Sequence, residues 1–365
     1  MPDSQISSTR KQSAAEALRD AMDHALASDP RVFLIGEGVA DPKGIFGTTL
    51  GLIDAYGPER VIEMPVSENG LTGVAIGAAM MGQRPVLVHQ RVEFCLLALE
   101  QLINNAAKAH YVSDGKHRVP LVVRMIIGRG WGQGPMHSQA LENLFAMIPG
   151  LKVVMPAFPA DAKGLLLGAI ADDNPICFLE HRWMHYASAD VPIANEPLAL
   201  DGPKRIREGS DVTIVATSYM ALEAVHAVDE LKRVGLTADL FDLRILRPLV
   251  LDDIIASVRR TGRLICVDTG FKTLGIGAEI VARVTEACFA DLRAAPVRLG
   301  LPDTPTPSSR SLAEVYYPTA ETIAETAGNL CGAAAFAIRP VVKSLADQRA
   351  SLPFDIPHPA FKGPF

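Results

Sequence analysis

The chain has 365 residues, of which 48% are hydrophobic and 21% charged, and its formal net charge is −6. This length is comfortable for two domains, and the negative charge argues against nucleic-acid binding, which favours a basic surface. The first residues lack the apolar core of a signal peptide, and no apolar run reaches the roughly 18 residues needed to cross a bilayer, so we expect a cytoplasmic protein without a membrane span.

The cysteines are spread through the chain, at positions 95, 177, 266, 288 and 331. They form no CxxC pair and no Cys/His cluster with metal-ligand spacing. Each lies in an apolar stretch, so we expect buried free thiols and neither disulfides nor structural zinc.

The first half of the chain alternates apolar strands with helices. Ser13 and Glu16 form a capping box that predicts a helix to about Ser28. The strands predicted after this helix are 31–36, 60–64, 85–89, 119–127, 151–155 and 175–180, and the clearest helices between them are 70–81, 96–112 and 159–172. Such alternation is typical of a parallel sheet covered by helices on both faces.

A second series follows a stretch rich in Pro and Ala, residues 183–207, which indicates a linker. Its predicted strands are 211–217, 238–243, 263–268 and 296–299, and its predicted helices are 219–234, 252–260, 277–289 and 320–338. The fold class is therefore α/β with two doubly wound domains. We place the domains at 1–185 and 208–345, with a linker at 186–207 and an extended tail at 346–365.

Glu68 is the first candidate for chemistry. It stands where a short strand gives way to a helix of Gly and Ala residues, 70–82. Small residues pack tightly, so this carboxylate is expected to be partly desolvated. It is either a proton-transfer group or a helix-start carboxylate that favours the macrodipole.

His137 is the second candidate. It lies in a loop with four glycines in seven residues, 128–134, which follows the strand 119–127. Open parallel sheets bind ligands at the carboxyl ends of their strands. His137 is either an acid/base group near pH 7 or an incidental side chain beside the helix cap Ser138.

The segment 89–94 follows another predicted strand. Phe94 is either a stacking platform or a core ring. His89 and Arg91 either attract an anionic substrate or form surface ion pairs. Farther along, Asp172 and Asn174 are candidate oxygen ligands for a cation, or simply part of a polar turn.

Phosphate-binding motifs are missing from the sequence. There is no complete GxGxxG after the first strand and no GxxxxGK[ST] loop. Gly275 and Gly277 form half of a dinucleotide loop, which without the third glycine indicates a tight helix entry. If the first domain handles a phosphate-bearing cofactor, the sequence therefore shows no device for holding its phosphates.

Taken in order, several segments resemble the beta subunit of the thiamine-diphosphate-dependent decarboxylating component of 2-oxo acid dehydrogenase complexes, as in the pyruvate and branched-chain enzymes. The resemblance covers nearly the whole chain. It is carried by PVSENG (65–70), ALEQLINNAAK (98–108), HSQALE (137–142), PGLKVVMPAFPADAKGLL (149–166) and PDTPTPSSRSLAEVYYP (302–318). It implies a pyrimidine-binding, transketolase-like domain followed by a transketolase C-terminal domain.

The resemblance also implies an active site made by two kinds of chain. Thiamine diphosphate with Mg²⁺ would lie at a subunit interface, where an alpha subunit supplies the motif that holds the metal and the diphosphate. That motif is absent here, as expected of a beta subunit. The implied partners are the alpha subunit, in a tetramer of two alpha and two beta chains, a lipoyl acyltransferase core and a small 2-oxo acid.

Residue roles follow by position in the resemblance. Glu68 would meet the ring nitrogen of the cofactor's aminopyrimidine and supply a proton there. Phe94 would pack against the same ring, with Gln90 beside the cofactor. His137 would face the reaction intermediate and assist acyl transfer to a lipoyl group. Some relatives bind potassium, mostly through backbone carbonyls, at positions matching Leu121, Ala169, Ile170, Asp172 and Asn174.

Departures from the family pattern lie near the expected substrate: Gly38, Met136 and the stretch 89–91. His89 and Arg91 are the candidate substrate residues, and Arg91 is predicted to select a larger or more anionic 2-oxo acid. Two other functions stay open. The chain is alternatively half of a transketolase-like transferase that moves a two-carbon or acyl unit to an aldehyde or ketose, or a non-catalytic assembly subunit.

Overall fold

The computed structural model describes residues 8–129 and 132–351, which divide into two compact units. The first unit holds residues 8–127 and 144–200, and the second holds residues 128–143 and 201–351. The loop that carries His137, which chain order placed in the first domain, thus packs with the second unit. The predicted domain boundaries stay a prediction.

The first unit is built on a parallel sheet. Its strands are β1 (Thr9–Ser13), β2 (Val32–Gly36), β3 (Val61–Glu63), β4 (Arg84–His89), β5 (Val122–Ile127), β6 (Lys152–Val154), β7 (Ile176–His181) and β8 (Ser188–Pro192). Six of them lie side by side and parallel in the order β6, β7, β5, β4, β2, β3. Strands β5 and β7 are buried along their whole length, as expected where both faces of a sheet are covered.

Helices alternate with these strands, as predicted. They are α1 (Ala14–Ser28), α2 (Leu52–Tyr56), α3 (Glu68–Met80), α4 (Val92–Cys95), α5 (Ala107–Val112), α6 (Glu142–Ala146) and α7 (Pro159–Ala171). The capping box is confirmed: the Ser13 N–H donates to Glu16 Oε2 (2.7 Å), and the Glu16 N–H donates to Ser13 Oγ (3.2 Å). Helix α1 ends at Ser28, where the sequence placed its end.

The predicted helix over 96–112 is helical throughout but is not a regular α-helix. The chain instead forms α4, a 3₁₀ turn at Leu96–Ala98, a π-helix at Gln101–Ala106 and then α5. Contacts with α3 accompany this irregularity: the Asn69 amide donates to the Leu97 carbonyl (3.2 Å), and the Gln101 amide donates to Asn69 Oδ1 (3.2 Å). The spacing of apolar residues in the sequence does not predict side-chain hydrogen bonds of this kind.

The second unit has a five-stranded sheet in the order β14, β13, β10, β11, β9, in which only β9 runs antiparallel. The strands in this part of the chain are β9 (Lys204–Arg207), β10 (Val212–Ala216), β11 (Ala238–Asp242), β12 (Ile245–Arg247), β13 (Leu264–Phe271) and β14 (Val297–Leu301). The helices are α8 (Tyr219–Leu231), α9 (Asp252–Thr261), α10 (Ile276–Cys288), α11 (Arg310–Tyr316), α12 (Ala320–Leu330) and α13 (Ala335–Ala350).

Three predicted segments need correction. The predicted linker contains strands β8 and β9, and β8 pairs with β1 in a two-stranded antiparallel ribbon. The predicted helix over 320–338 divides into α12 and α13, and Gly332 between them has φ +71°. Residues 346–350 of the predicted tail continue α13, while 352–365 fall outside the described residues.

No helix in the described ranges is long and apolar enough to cross a membrane. All five cysteines are free thiols, and four of them are buried. The predictions of free thiols and of an α/β fold with alternating strands and helices are confirmed.

Candidate active site

Glu68 lies at the carboxyl edge of the first unit's sheet. It is the first residue of α3, shortly after β3, and its exposed fraction is 6%. The small residues of α3 allow close packing of this helix: a Cβ on Gly73 would lie 3.3 Å from Gln101 Oε1. Glu68 is therefore a buried carboxylate at a helix N-terminus, as its setting in the sequence predicts.

Two more carboxyl groups lie near Glu68. Glu63 ends β3, and its carboxylate accepts hydrogen bonds from the backbone N–H groups of Gly38 (2.6 Å) and Ala40 (2.9 Å). Burial, followed by the negative charges of Glu68 and Glu63, raises the pKa of Glu37. When carboxyl groups lie close together and out of water, repulsion between their negative charges favours keeping a proton on one of them. Sequence reasoning missed Glu37 and Glu63, although both stand at the ends of apolar strands.

Gln90 joins the end of β4 to this cluster. Its side-chain amide donates to the Glu37 backbone carbonyl (3.0 Å). A Cβ on Gly38, whose φ is +75°, would lie 2.4 Å from Gln90 Nε2. The glycine that departs from the family pattern therefore leaves room for this amide. Phe94, in helix α4, is half-buried.

His89 is buried at the carboxyl end of β4, with 2% exposure. Burial lowers its pKa to about 4, so its imidazole is neutral near pH 7. The predicted attraction of an anionic substrate by His89 therefore has no ionic basis at neutral pH, and the cationic groups described at this edge are those of Arg91 and Arg182.

Arg91 and Arg182 are both buried, at 2% and 3% exposure, and both lie on the ring of Phe46. The guanidinium carbon lies 5.7 Å from the ring centroid for Arg91 and 4.1 Å for Arg182. Arg182 also donates to the Tyr186 hydroxyl (2.9 Å). The sequence reading missed Arg182 and Phe46; Arg182 directly follows β7, which is the signal that could have found it.

His137 belongs to the second unit, in the segment 132–143, which we call the His137 segment. His137 is half-buried, and its N–H donates to the Gly134 carbonyl (3.3 Å). The Gly128 N–H donates to the Gln139 carbonyl (2.8 Å), and a Cβ on Gly134 would lie 2.1 Å from Ser308 Oγ. A pocket of about 260 Å³ adjoins the segment and is lined by Pro135, Gln139, Phe271, Asp303, Thr304, Pro305 and Thr306.

The first unit thus brings Glu68, His89, Gln90, Arg91 and Phe94 to one sheet edge, as their places after β3 and β4 require. The five residues predicted for potassium precede β5 and β7 and so belong to the opposite, amino edge. Gly275 and Gly277 of the second unit open helix α10, which confirms the tight helix entry.

A guanidinium already lies against two of the predicted potassium ligands. Arg84 Nη1 donates to the carbonyls of Ile170 (2.9 Å) and Asp172 (3.0 Å), and Arg84 Nη2 contacts the Asp173 carboxylate (2.5 Å). The Asp172 side chain accepts from Lys152 and from Asn174. Two of the five predicted ligands thus already accept from a guanidinium, which argues against a potassium ion at these carbonyls, and the potassium site stays a prediction. The described residues contain no group of three or more His, Cys, Asp or Glu side chains placed to hold a metal ion.

Comparison with known proteins identifies the family to which this chain belongs. Residues 10–185 match the model of the transketolase pyrimidine binding domain, and residues 203–323 match that of the transketolase C-terminal domain. The chain is 40% identical to pyruvate dehydrogenase E1 component subunit beta-2, mitochondrial, of Oryza sativa subsp. japonica, and the match covers 88% of this chain and 87% of the relative. The chain belongs to the family of E1 component beta subunits.

Other relatives of this E1 beta family member agree. It is 39% identical to the mitochondrial E1 subunit beta of Pisum sativum, covering 89% of the chain and 92% of the relative. It is 38% identical to pyruvate dehydrogenase E1 component subunit beta of Rickettsia felis, covering 87% of the chain and 97% of the relative. A solved structure described as split gene transketolase, inactive beta4 tetramer, matches with a TM-score of 0.70 and 20% identity over 87% of this chain and 98% of the other, which establishes the same fold.

Proposed function

We propose that this chain is the beta subunit of a thiamine-diphosphate-dependent 2-oxo acid dehydrogenase. With an alpha chain, it decarboxylates a 2-oxo acid and transfers the acyl group to lipoamide. The observation that carries the proposal is the buried Glu68, which opens a helix in the domain matched by a pyrimidine-binding model. The names of the relatives, pyruvate dehydrogenase E1 beta subunits, support the reaction class.

The residues at the sheet edge fit the aminopyrimidine half of the cofactor. Thiamine diphosphate, when bound, supplies the carbon nucleophile and the electron sink that decarboxylation of a 2-oxo acid requires. Glu68 would hold a proton at a pyrimidine ring nitrogen, and its low exposure strengthens that hydrogen bond. The half-buried ring of Phe94 would pack against the pyrimidine, while the Gln90 amide is oriented by the Glu37 carbonyl.

An alpha subunit and the second unit of this chain would complete the site. An alpha subunit would hold Mg²⁺ and the diphosphate, in a tetramer of two alpha and two beta chains. His137 of the second unit would assist acyl transfer to the lipoyl group of an acyltransferase core. We also propose a cytoplasmic location for the protein.

Arg91 is proposed to select the substrate. Its guanidinium is buried against Phe46 beside a second guanidinium, that of Arg182, so two cationic groups lie at this edge of the sheet. A 2-oxo acid with an additional anionic group would gain a charged contact with them. Pyruvate and branched-chain 2-oxo acids carry one carboxylate and would gain less.

The Arg91→Ala variant tests this selection. We expect kcat/KM to fall for a dicarboxylic 2-oxo acid by at least about tenfold more than for pyruvate, since one charged contact is worth about 1.5–3 kcal/mol. Arg31→Ala, at an exposed arginine of the same unit, is the control. An unchanged ratio of kcat/KM between the dicarboxylic 2-oxo acid and pyruvate in Arg91→Ala would refute the role of Arg91.

Reconstitution tests the function as a whole. The chain is co-expressed and purified with its alpha partner, then assayed with thiamine diphosphate, Mg²⁺ and a panel of 2-oxo acids, with lipoamide or an artificial electron acceptor. Oxidative decarboxylation with transfer to lipoamide is the expected result. Turnover only with ketose donors and aldehyde acceptors would favour a transketolase-like transferase. A complex that is inactive with every donor would favour an assembly subunit.

A further inference from the structure

Two buried carboxyl groups meet in the second unit. Glu142 ends the HSQALE motif and begins α6, and Asp268 lies within β13; their exposed fractions are 0% and 4%. The two side chains lie within hydrogen-bonding reach of each other. Yet Glu142 Oε2 and Asp268 Oδ2 are buried and accept from no donor among the described residues. One proton between these two oxygens satisfies both of them.

The surroundings decide which carboxyl carries the proton. Asp268 Oδ1 accepts from the Thr217 hydroxyl (3.0 Å) and from the Gly270 N–H (3.2 Å), whereas Glu142 Oε1 accepts from the Asn143 side-chain amide (3.1 Å). The two donors on Asp268 favour the negative charge there. Burial raises the pKa of both groups, and the charge of Asp268 raises that of Glu142 further. Glu142 therefore holds the proton and donates it to the Asp268 carboxylate.

The contact is closely packed. A Cβ on Gly270 would lie 2.0 Å from Glu142 Oε1, and a Cβ on Gly275 would lie 3.1 Å from Asp268 Oδ2. The groups that act on the two carboxyls are each other and neutral hydrogen-bond donors. Cys266 is a further titratable group beside Asp268; burial, and then the charge of Asp268, raise the pKa of its thiol, so it stays neutral.

Glu142 ends an extended run that begins at His137. Ser138, Ala140 and Glu142 are buried, whereas the residues between them are half-buried, which is the alternation of an extended chain with one side facing inward. Within this run the Gln139 carbonyl accepts from the Gly128 N–H, and Glu142 is the contact at its far end, five residues after His137. Loss of the Glu142 contact would free that end.

We propose that the proton shared by Glu142 and Asp268 fastens the His137 segment to the second unit, so that both carboxyls are positioning residues for His137. The catalytic part of this inference rests on the proposed function, in which His137 assists acyl transfer. The structural part concerns the segment alone.

The sign of the pH dependence follows from the raised pKa of Glu142. The pair stabilises the segment in full below the ordinary pKa of a glutamate, and this stabilisation is lost as the pH rises through the raised pKa in the folded protein. Ionisation of both groups would place two negative charges in one buried contact. The segment then loosens on the alkaline side.

Amide hydrogen exchange of the full chain, alone and with its alpha partner, tests the structural part. Over a pH series, corrected for intrinsic exchange, amides 137–141 of the wild type should lose protection by at least about tenfold on the alkaline side, about 1.4 kcal/mol of opening free energy. Glu142→Gln, whose amide donates to Asp268 at every pH, should keep its protection. Glu142→Ala should be unprotected at every pH, and Glu279→Gln, at an exposed carboxylate of α10, should behave like the wild type.

Activity of the same complexes tests the catalytic part. Acyl transfer to lipoamide should fall on the alkaline side for the wild type relative to oxidation by an artificial acceptor, and Glu142→Gln should remove that fall. The proposal is overturned if Glu142→Gln loses protection at the same pH as the wild type, or if Glu142→Ala keeps it. Because exchange needs no turnover, failure of the proposed function would appear separately, as a wild-type complex that turns over no 2-oxo acid.

Discussion

Replacement of Arg84 by methionine should unfold the first unit more easily. Arg84 is 13% exposed, and its guanidinium donates to the carbonyls of Ile170 and Asp172 and to the Asp173 carboxylate. Methionine keeps most of the apolar stem but leaves two carbonyls and a carboxylate without this donor. Each hydrogen bond to a charged group contributes about 1.5–3 kcal/mol, and part of that is recovered because Asp173 reaches water. We expect Arg84→Met to lower the free energy of unfolding by about 3 kcal/mol.

Arg118 provides a matched control for Arg84. It contacts the other oxygen of the same carboxylate, Asp173 Oδ2 (2.6 Å), but it is 62% exposed. Exposed ion pairs contribute about 0–1 kcal/mol, so Arg118→Met should change stability by less than about 1 kcal/mol. Urea titrations in NaCl and KCl at equal ionic strength measure both variants, and we expect no stabilisation of the wild type by potassium. Equal effects of the two substitutions, or potassium-specific stabilisation of the wild type, would refute this reasoning.

Two further predictions concern pH and buried charge in the first unit. His89 has a pKa of about 4 in the folded chain against 6.5 ordinarily, so as the pH falls the unfolded chain binds a proton first and the folded chain loses stability. His89→Phe should therefore remove up to about 3 kcal/mol of this acid destabilisation between pH 6.5 and 4. Urea titration at several pH values measures the effect. Glu180 is fully buried against Arg124 and His185, and although burial raises its pKa, these partners lower it to about 2. Its ionised form therefore stabilises the fold above the ordinary pKa of a glutamate and ceases to do so as the pH falls through about 2. Glu180→Gln should cost about 3–5 kcal/mol at neutral pH, and a cost below about 1 kcal/mol would contradict this account.

Local patterns in the sequence predict a large part of this fold. The capping box at Ser13 and the apolar runs of β2, β4, β5 and β7 depend on neighbouring residues, and the structure confirms them. The burial of Glu68 also follows from its small neighbours in the chain. Strands β1 and β8 escaped prediction because they are short and polar, and they are defined by their antiparallel pairing with each other.

The parts of the candidate site that escaped prediction depend on contacts between distant residues. Arg84 reaches carbonyls 86 and 88 positions away in the chain. Glu142 and Asp268, and likewise Phe46 and Arg182, become neighbours only when the strands are ordered. No periodicity marks such pairs. Polar residues at or directly after the carboxyl ends of strands are the signal that the sequence does carry: Glu63 ends β3, while Glu37 and Arg182 directly follow β2 and β7.

Glu68 is proposed to act in proton transfer to the cofactor. The most direct test of this claim is kcat for 2-oxo acid oxidation by the complex of the Glu68→Gln chain with the alpha partner. Glu59→Gln, at an exposed carboxylate of the same unit, serves as the control. Acid–base catalysis contributes about 10²–10⁴-fold, so we predict a fall of that size for Glu68→Gln and no change for Glu59→Gln. Wild-type turnover in the Glu68→Gln complex would contradict the claim.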